Sequence, residues 1–405
     1  MAQDASDGGS QIAVEVIDTM EALEKIRGPY RAVHRADPDA DVFLSWEWLA
    51  RVFADHAGAW RIYAVRDARV RGGYAGFLPV QCFVRWSVSR KKFQTTLTDA
   101  GRLGQGQSVG FVCVPSLEDQ VLEALGQHLN VSPWARLSLR YEPSLRRAFR
   151  FSESFVGEDF AVDFPKHETK DGSVDLLPDA VLTLPDDYAD FYGSLGGKMR
   201  KYLRRAVEDI KNLEGVRYTI TNSRSFVEDR EALLDLWSIP LEETVSEKRQ
   251  DQMIDAQRKV LNQVKSAGLL YQVSLWQGER VLCSAAHIVD RKQRSIRLLL
   301  EGQDEENDPW STDLLLNIFA IQKAIEAGCT AYHFGHGAKD NAYRLGAEPK
   351  QTAYLAISRR SASEVGDLDP AMVGQALKRA ERFVKKGDTE NALAALKQIR
   401  SAWRS

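Results

Sequence analysis

Residues 270–357 constrain the fold of this chain more than any other segment, because their order of strands and helix requires a common sheet. Five segments have the alternation or the short apolar runs of strands, namely 271–276, 281–289, 295–301, 330–334 and 351–357. The first three predict an antiparallel meander, and a helix with apolar residues at helical spacing precedes the fourth. This order predicts an open α/β sheet in which two neighbouring strands part, and ligands often bind at such a point.

The N-terminal half has the same rhythm of hairpin, helix and strand. Alternating strands are predicted at 60–65 and 74–83, a helix at 117–129 and a strand at 135–141. We therefore predict a degenerate tandem duplication. The predicted regions are a flexible N-terminus (1–11), an N-terminal domain (12–165), a linker (166–179), a C-terminal domain (180–360) and a helical hairpin (369–405).

Composition excludes several classes of protein. The 405 residues carry a net charge of −3, which argues against a nucleic-acid-coating protein. The four cysteines lie singly in apolar strands, so we expect reduced core thiols, no bound metal and a cytoplasmic protein. The N-terminus lacks the pattern of a signal peptide, and no segment approaches the ~20 apolar residues of a spanning helix. Any membrane contact, such as one at the inner membrane, must therefore be peripheral.

Several motifs resemble those of one enzyme family. Glu301-Gly302 ends the third strand, a Ser-Thr-Asp helix start follows, and the strand at 330–334 runs into His333-Phe-Gly-His336-Gly, with Tyr343-Arg344 behind it. A basic helix start at 198–205 adds to the pattern. These features resemble the FemAB-like, CelD-type acyltransferases, which have the Gcn5-related N-acetyltransferase (GNAT) fold. The resemblance implies two tandem GNAT-like domains with mixed sheets.

The resemblance also implies an enzyme that moves an acyl group from acyl-CoA to an amine by direct attack. The reaction requires a deprotonated amine, a polarised carbonyl and a proton donor for the thiolate. In this fold a backbone N–H of the parting strands usually polarises the carbonyl. The candidate side chains for the other roles are His287, Glu301, His333, His336 and Tyr343. A core histidine remains the alternative for His287, a solvated carboxylate for Glu301 and a core aromatic for Tyr343.

The expected donor site combines a helix start with a basic helix. Ser311 and Thr312 begin the helix after the third strand, where N–H groups and the helix dipole favour phosphate. Lys198, Arg200 and Arg204 lie on the basic helix, which could contact the donor's phosphates or an anionic membrane. A solvated basic face is the alternative for these three residues.

The acceptor is left open by the resemblance. Relatives are linked to exopolysaccharide, to peptidoglycan cross-bridges and to N-acylation of sphingoid bases, the reaction of a ceramide synthase. The aromatic-rich segment 43–53, with Phe83, Trp86 and Phe93, could line a groove or its mouth with apolar surface, while most of these aromatics are expected in the core. Such a groove favours a long-chain amine in lipid biosynthesis. The alternatives are a cell-envelope acyl or aminoacyl transferase and a non-catalytic binding protein on a decayed fold. The sequence does not predict an oligomeric state.

Overall fold

The computed structural model describes residues 12–101, 110–169, 172–174, 177–212, 214–242, 244–304, 312–336, 340–360 and 367–403. The predicted flexible N-terminus, 1–11, lies outside the described residues. Contacts divide the chain into two compact units. The first comprises Met1–Leu177 and Gln351–Ser405, and the second comprises Pro178–Lys350.

Strands and helices alternate along both units. The strands are β1 (Ala13–Ile17), β2 (Trp60–Arg66), β3 (Tyr74–Ser87), β4 (Lys92–Asp99), β5 (Val112–Cys113), β6 (Arg136–Glu142), β7 (Phe160–Asp163), β8 (His167–Thr169), β9 (Gly172–Val174), β10 (Leu177–Thr183), β11 (Val216–Ile220), β12 (Leu270–Gln277), β13 (Arg280–Asp290), β14 (Ser295–Gln303), β15 (Ala331–His336) and β16 (Glu348–Arg359). The helices are α1 (Met20–Lys25), α2 (Arg27–Ala36), α3 (Trp46–Ala54), α4 (Glu118–Val131), α5 (Leu145–Ser152), α6 (Tyr188–Ser194), α7 (Gly197–Lys211), α8 (Phe226–Ser238), α9 (Glu247–Ser266), α10 (Thr312–Glu326), α11 (Asp340–Arg344), α12 (Val373–Lys385) and α13 (Thr389–Ala402).

The first unit is built on a mixed sheet in the order β1-β2-β3-β4-β6-β16. Neighbouring strands in this sheet are antiparallel except β4 and β6. These two run parallel and pair only from Thr96↔Arg136 to Thr98↔Ser138. Helix α4 makes the crossover between these two strands. The predicted hairpin, strands and helix of the N-terminal half are therefore present, and they form one mixed sheet.

The C-terminal helices pack on the core of the first unit. Ala376 and Ala380 of α12 and Ala395 and Ile399 of α13 are buried in that core. The three alanines among them have small side chains, which allow the helices to approach the sheet closely. A helical hairpin cannot bury its apolar face alone, and this one buries it against the unit.

The aromatic residues that were expected to line a groove are largely core residues. Phe43, Trp48, Phe53 and Phe93 are all buried. Trp86 packs edge-on against Phe93, with ring centroids 4.9 Å apart. Their apolar surface stabilises the unit, as was expected for most of these aromatics.

The second unit contains the predicted meander. Its sheet has the order β10-β15-β14-β13-β12-β11, with β12, β13 and β14 antiparallel as predicted. Helix α10 makes the crossover from β14 to β15, which run parallel. Helix α8 buries Leu233 and Leu234 against Ala286 and Leu300 of the meander. The crossover and the meander leave a point where two parallel strands separate.

Two predicted boundaries differ from the grouping by contacts. Residues 351–360 were assigned to the C-terminal domain, but β16 pairs with β6 and β7 and so belongs with the first unit. Asp179 was placed in a linker, but it lies in β10, where it pairs with His336. Neither segment is amphipathic enough to reveal its partner strand from sequence. Among the described residues, no helix is long and apolar enough to cross a membrane.

Candidate active site

The second unit has an opening between β14 and β15. The two strands pair only from Ser295↔Ala331 to Arg297↔His333. Beyond that point β14 remains paired with β13, and β15 remains paired with β10. The facing backbone edges therefore separate at the carboxyl ends of two parallel strands, where α/β proteins commonly bind ligands.

A pocket of about 200 Å³ lies at the end of β14, and we call it the Glu301 pocket. Its polar side chains include Ser284, Glu301 and Asp313. Its apolar wall comes from the end of α8 and the following turn, and consists of Leu236, Trp237, Pro240 and Leu241. A carboxylate beside an apolar wall can accept a proton from a bound amine.

Gly302 explains how α8 comes so close to this pocket. A Cβ at this position would lie 2.6 Å from the backbone nitrogen of Trp237 and 2.8 Å from Cβ of Leu236. Neither the backbone nor a Cβ can move aside cheaply, so only glycine allows this approach. The Glu301-Gly302 pair thus combines a carboxylate with the residue that lets α8 form the wall of its pocket.

A second, more basic pocket of about 470 Å³ lies at the first turns of α7 and α10, and we call it the basic pocket. Lys198, Tyr202, Asn341 and Arg344 contribute its polar groups. Helix α7 follows Gly196, which provides no side-chain cap. The helix dipole and two cationic side chains therefore favour an anionic group here. The first turn of α10 contributes to both pockets, through Leu314 here and Asp313 in the Glu301 pocket.

A buried ionic cluster lies where β14 and β15 part. Asp179 Oδ2 accepts a hydrogen bond from Nη1 of Arg297 at 2.8 Å and lies 2.8 Å from Nδ1 of His333. Burial would raise the pKa of Asp179, but Arg297 and His333 hold it well below its usual range. Burial and the charge of Arg297 lower the pKa of His333. The cluster links β10, β14 and β15 around a charged carboxylate and a neutral imidazole.

His287 lies in the core and lines neither pocket. It is fully buried, with Nδ1 3.2 Å from the carbonyl of Tyr271 and Nε2 2.7 Å from the hydroxyl of Tyr332. That hydroxyl lies 2.9 Å from Oδ1 of Asn317. Burial lowers the pKa of His287 to about 4. A neutral, buried imidazole with both nitrogens engaged favours the core interpretation over the predicted general base.

The other predicted catalytic residues lie near the end of β15. His336 is the last residue of β15, and its Nδ1 lies 3.1 Å from the carbonyl oxygen of Pro178. Tyr343 lies on α11 and is 42% exposed, so it is not a core aromatic. Neither residue lines the two pockets, whereas Asn341 and Arg344 of the same short helix do. The catalytic roles predicted for His336 and Tyr343 stay predictions.

The predicted phosphate-binding residues are only partly brought together. Ser311 lies outside the described residues, and Thr312 is buried at the start of α10. Lys198 lines the basic pocket. Arg200 instead donates to the carbonyl of Gly193 at 2.9 Å, and Arg204 is exposed and lines neither pocket. Of the four that the structure describes, Lys198 alone lines either pocket.

Several residues of the site were not predicted from sequence. Asp179 lies in a region that was predicted to be a linker, and Arg297 lies in the third predicted strand, where no role was predicted for it. Asn341 and Arg344, both on the short helix α11, line the basic pocket. Arg344 could be singled out from sequence, because it stands directly after Tyr343 in the motif that carries the family resemblance. Nothing in the local sequence marks Asp179 as a partner of two residues more than a hundred positions away.

A comparison with known protein families finds a match within the second unit. Residues 197–344 match the family of acetyltransferase (GNAT) domains. Over these residues the chain is similar to a GNAT acetyltransferase domain. It is an enzyme of the acyltransferase class, as the resemblance implied. The GNAT match falls on the unit that contains both pockets, the opening and the ionic cluster. No curated protein matches the chain in sequence.

Solved structures extend the likeness to both units. The crystal structure of FemX superposes with a TM-score of 0.54 at 11% identity, covering 84% of this chain and 96% of FemX. L-PGS from Bacillus licheniformis superposes with a TM-score of 0.47 at 12% identity, covering 86% of this chain and 94% of L-PGS. A tandem GNAT protein from the clavulanic acid biosynthesis pathway superposes with a TM-score of 0.44 at 10% identity, covering 87% of this chain and 100% of that protein. At such identities the FemX likeness establishes the fold alone. The predicted α/β fold of tandem GNAT-like units is confirmed.

Proposed function

We propose that this protein is an acyl-CoA-dependent N-acyltransferase whose chemistry takes place in the second unit. The observation that carries the proposal is the pair of pockets that share the first turn of α10. One is basic and suits a phosphate-bearing donor, and the other contains Glu301 beside an apolar wall. A donor and an acceptor bound there would meet near the opening between β14 and β15.

The donor would be held by its phosphates in the basic pocket. Lys198 and Arg344 supply positive charge, and the first turn of α7 supplies backbone N–H groups. The edge of β14 beyond Arg297 would offer a backbone N–H to the thioester carbonyl. These contacts polarise the carbonyl where negative charge develops during attack.

The acceptor amine would bind in the Glu301 pocket. Its nitrogen lone pair attacks the thioester carbon, a C–N bond forms, and the carbonyl electrons move to oxygen. Glu301 accepts a proton from the attacking nitrogen. Collapse of the tetrahedral intermediate breaks the C–S bond, and the thiolate leaves and takes up a proton. Tyr343 as the donor of that proton stays a prediction.

A comparison of two donors tests the proposal. Purified protein is mixed with acyl-CoA or with acyl-pantetheine, which lacks the nucleotide phosphates, together with a panel of amines, and thiol release is followed. We expect Lys198→Ala combined with Arg344→Ala to raise KM for acyl-CoA by about tenfold to a hundredfold, because charge-assisted bonds are lost. KM for acyl-pantetheine should remain unchanged.

Arg205→Ala is the matched control, because the Arg205 side chain lies on the same helix, is 85% exposed and lines neither pocket. It should leave KM for both donors unchanged. An equal rise in KM for both donors in the double variant would show that the basic pocket does not bind phosphate. A lack of thiol release with every acyl donor would remove the function itself.

The chemistry of the acceptor is the finer part of the proposal. The apolar wall of the Glu301 pocket supports an amine with a hydrocarbon group next to its nitrogen. A volume of about 200 Å³ suits the reactive end of such a molecule. We therefore keep a long-chain, sphingoid-type amine as the proposed acceptor. Mass spectrometry of cells with and without the gene tests it: unchanged N-acylated lipids with altered cell-wall or polysaccharide composition would favour an envelope precursor instead.

A further inference from the structure

The outer face of α13 presents an apolar stripe. Leu393, Leu396 and Trp403 are 56%, 45% and 73% exposed. Their spacing of three and seven residues places them on one side of the helix, with Arg400 between them. Ala395 and Ile399, on the neighbouring side of the same helix, are buried in the core of the first unit. The stripe is therefore held outward by a helix that cannot turn to bury it.

The helices that present this stripe are strongly basic. Acidic residues are few: Glu381, Asp388 and Glu390. Asp388 caps α13 by accepting from the N–H of Asn391, and Glu390 pairs with Lys91. The cations between residues 373 and 403 are Lys378, Arg379, Arg382, Lys385, Lys386, Lys397 and Arg400. This excess of positive charge favours an anionic partner over a cationic one.

We propose that the outer face of α13, together with the cations of the hairpin, docks onto an anionic lipid bilayer. Leucine and tryptophan side chains beside cations are the combination that binds at the boundary between headgroups and acyl chains. Lys397 and Arg400 can place their charges among phosphates while their stems lie along apolar surface. A second copy of this chain is disfavoured as the occupant, because it would bring the same excess of cations to the contact.

Sedimentation with vesicles tests this surface on the whole chain. Wild-type protein should sediment with vesicles of phosphatidylcholine and phosphatidylglycerol, and remain in solution with phosphatidylcholine alone. Lys397→Gln and Arg400→Gln should each weaken binding about fivefold, the equivalent of about 1 kcal/mol per cation at an anionic surface. Leu393→Ser, Leu396→Ser and Trp403→Ala combined should weaken binding by about tenfold or more, because the inserted apolar area is removed.

The matched control is Val131→Ser combined with Val156→Ser, which alters residues of the first unit that are 73% and 83% exposed. This control should bind vesicles as the wild type does. Thiol release with a water-soluble amine and no vesicles should be equal in all variants. A failure of vesicle binding can therefore be distinguished from a failure of the proposed function. Wild-type protein that ignores anionic vesicles, or a stripe variant that binds them equally well, would overturn the proposal. So would a dimer in lipid-free solution that the stripe substitutions dissociate.

Discussion

The two units have the same strand order but fill the opening between their parallel strands differently. The order β1-β2-β3-β4-β6 in the first corresponds to β11-β12-β13-β14-β15 in the second. In each unit the parallel strands pair over three residues, and a single helix, α4 or α10, connects them. This correspondence supports a tandem duplication, although no residue-level repeat is visible in the sequence.

The difference lies beyond the third pair. In the first unit Asp99 Oδ1 accepts from the backbone N–H of Arg140 at 3.1 Å, which ties the end of β4 to β6. Glu142 then packs so tightly on Gly110 that a Cβ there would lie 1.6 Å from Oε2. In the second unit the corresponding strands lead to the Glu301 pocket. The same framework thus holds a buried, closely packed Glu142 in the first unit and the Glu301 pocket, the proposed acceptor site, in the second.

The largest expected effect separates the two glutamates. Glu301→Gln should lower kcat by about 10² to 10⁴, because the group that accepts the amine's proton is lost. Glu142→Gln, in the first unit, should leave kcat unchanged. Initial rates of thiol release at saturating acyl-CoA measure both variants. Glu242→Gln, an exposed residue next to the wall of the Glu301 pocket, is the local control. Equal losses of kcat in the Glu301 and Glu142 variants would contradict the division of roles between the units.

The next effect concerns the ionic cluster of the second unit. Asp179→Asn keeps the shape of the side chain but leaves Arg297, 12% exposed, without its carboxylate. We expect a loss of about 3–5 kcal/mol in the free energy of unfolding, the usual result of removing one partner of a buried pair. Urea unfolding at neutral pH measures the loss. Hydrogen exchange should locate it in β10, β14 and β15.

Acid should abolish the difference between Asp179→Asn and wild type. The folded-state pKa of Asp179 lies below its ordinary value of 3.8, so its stabilisation is present above that pH and is lost as the pH falls below it. The exposed pair Lys323 and Glu326 supplies the control, because loss of a solvent-screened surface pair in Glu326→Gln should change the free energy of unfolding little. A neutral-pH loss as small as that of the control would refute the importance of the buried cluster.

The first unit should respond to pH in the opposite sense. Burial raises the pKa of Glu142 from 4.5 to about 8, with Arg147 opposing the rise. The folded unit therefore keeps a proton that the unfolded chain loses. Its stability should fall by up to about 1.4 kcal/mol per pH unit between these two pKa values. Glu142→Gln should remove this slope, as measured by urea unfolding across the range; an unchanged slope would show that Glu142 is ionised in the folded state.

Much of the second unit could be predicted from sequence because its signals are local. The strands of the meander have the alternation or the short apolar runs typical of strands, α10 keeps helical spacing, and the Glu301-Gly302 pair marks the end of a strand. A resemblance carried by short motifs then supplied the fold class. Lys198 was found in the same way, since a run of cations at a helix start suggests an anion site without knowledge of distant contacts.

The rest depends on contacts that sequence spacing does not encode. Asp179 meets Arg297 and His333 only because β10 joins the far side of β15, and a single aspartate in a polar segment gives no sign of that pairing. His287 illustrates the reverse case. Its position in an alternating strand is compatible with either a base or a core residue, and the hydroxyl of Tyr332 that engages it lies 45 residues away. Burial decided the interpretation, and burial is a tertiary property.

The smallest effect tests that interpretation of His287. Tyr332→Phe removes the hydroxyl that lies 2.7 Å from Nε2 of His287 and 2.9 Å from Oδ1 of Asn317. Two buried polar groups would lose a partner, so we expect a loss of about 1–3 kcal/mol in the free energy of unfolding. Thiol release at a temperature well below the transition should stay within a few-fold of wild type. Tyr271→Phe is the control, because its buried hydroxyl accepts no hydrogen bond from a described residue. If Tyr332→Phe lowered kcat by about a hundredfold while the control did not, His287 and Tyr332 would belong to the proton-transfer machinery after all.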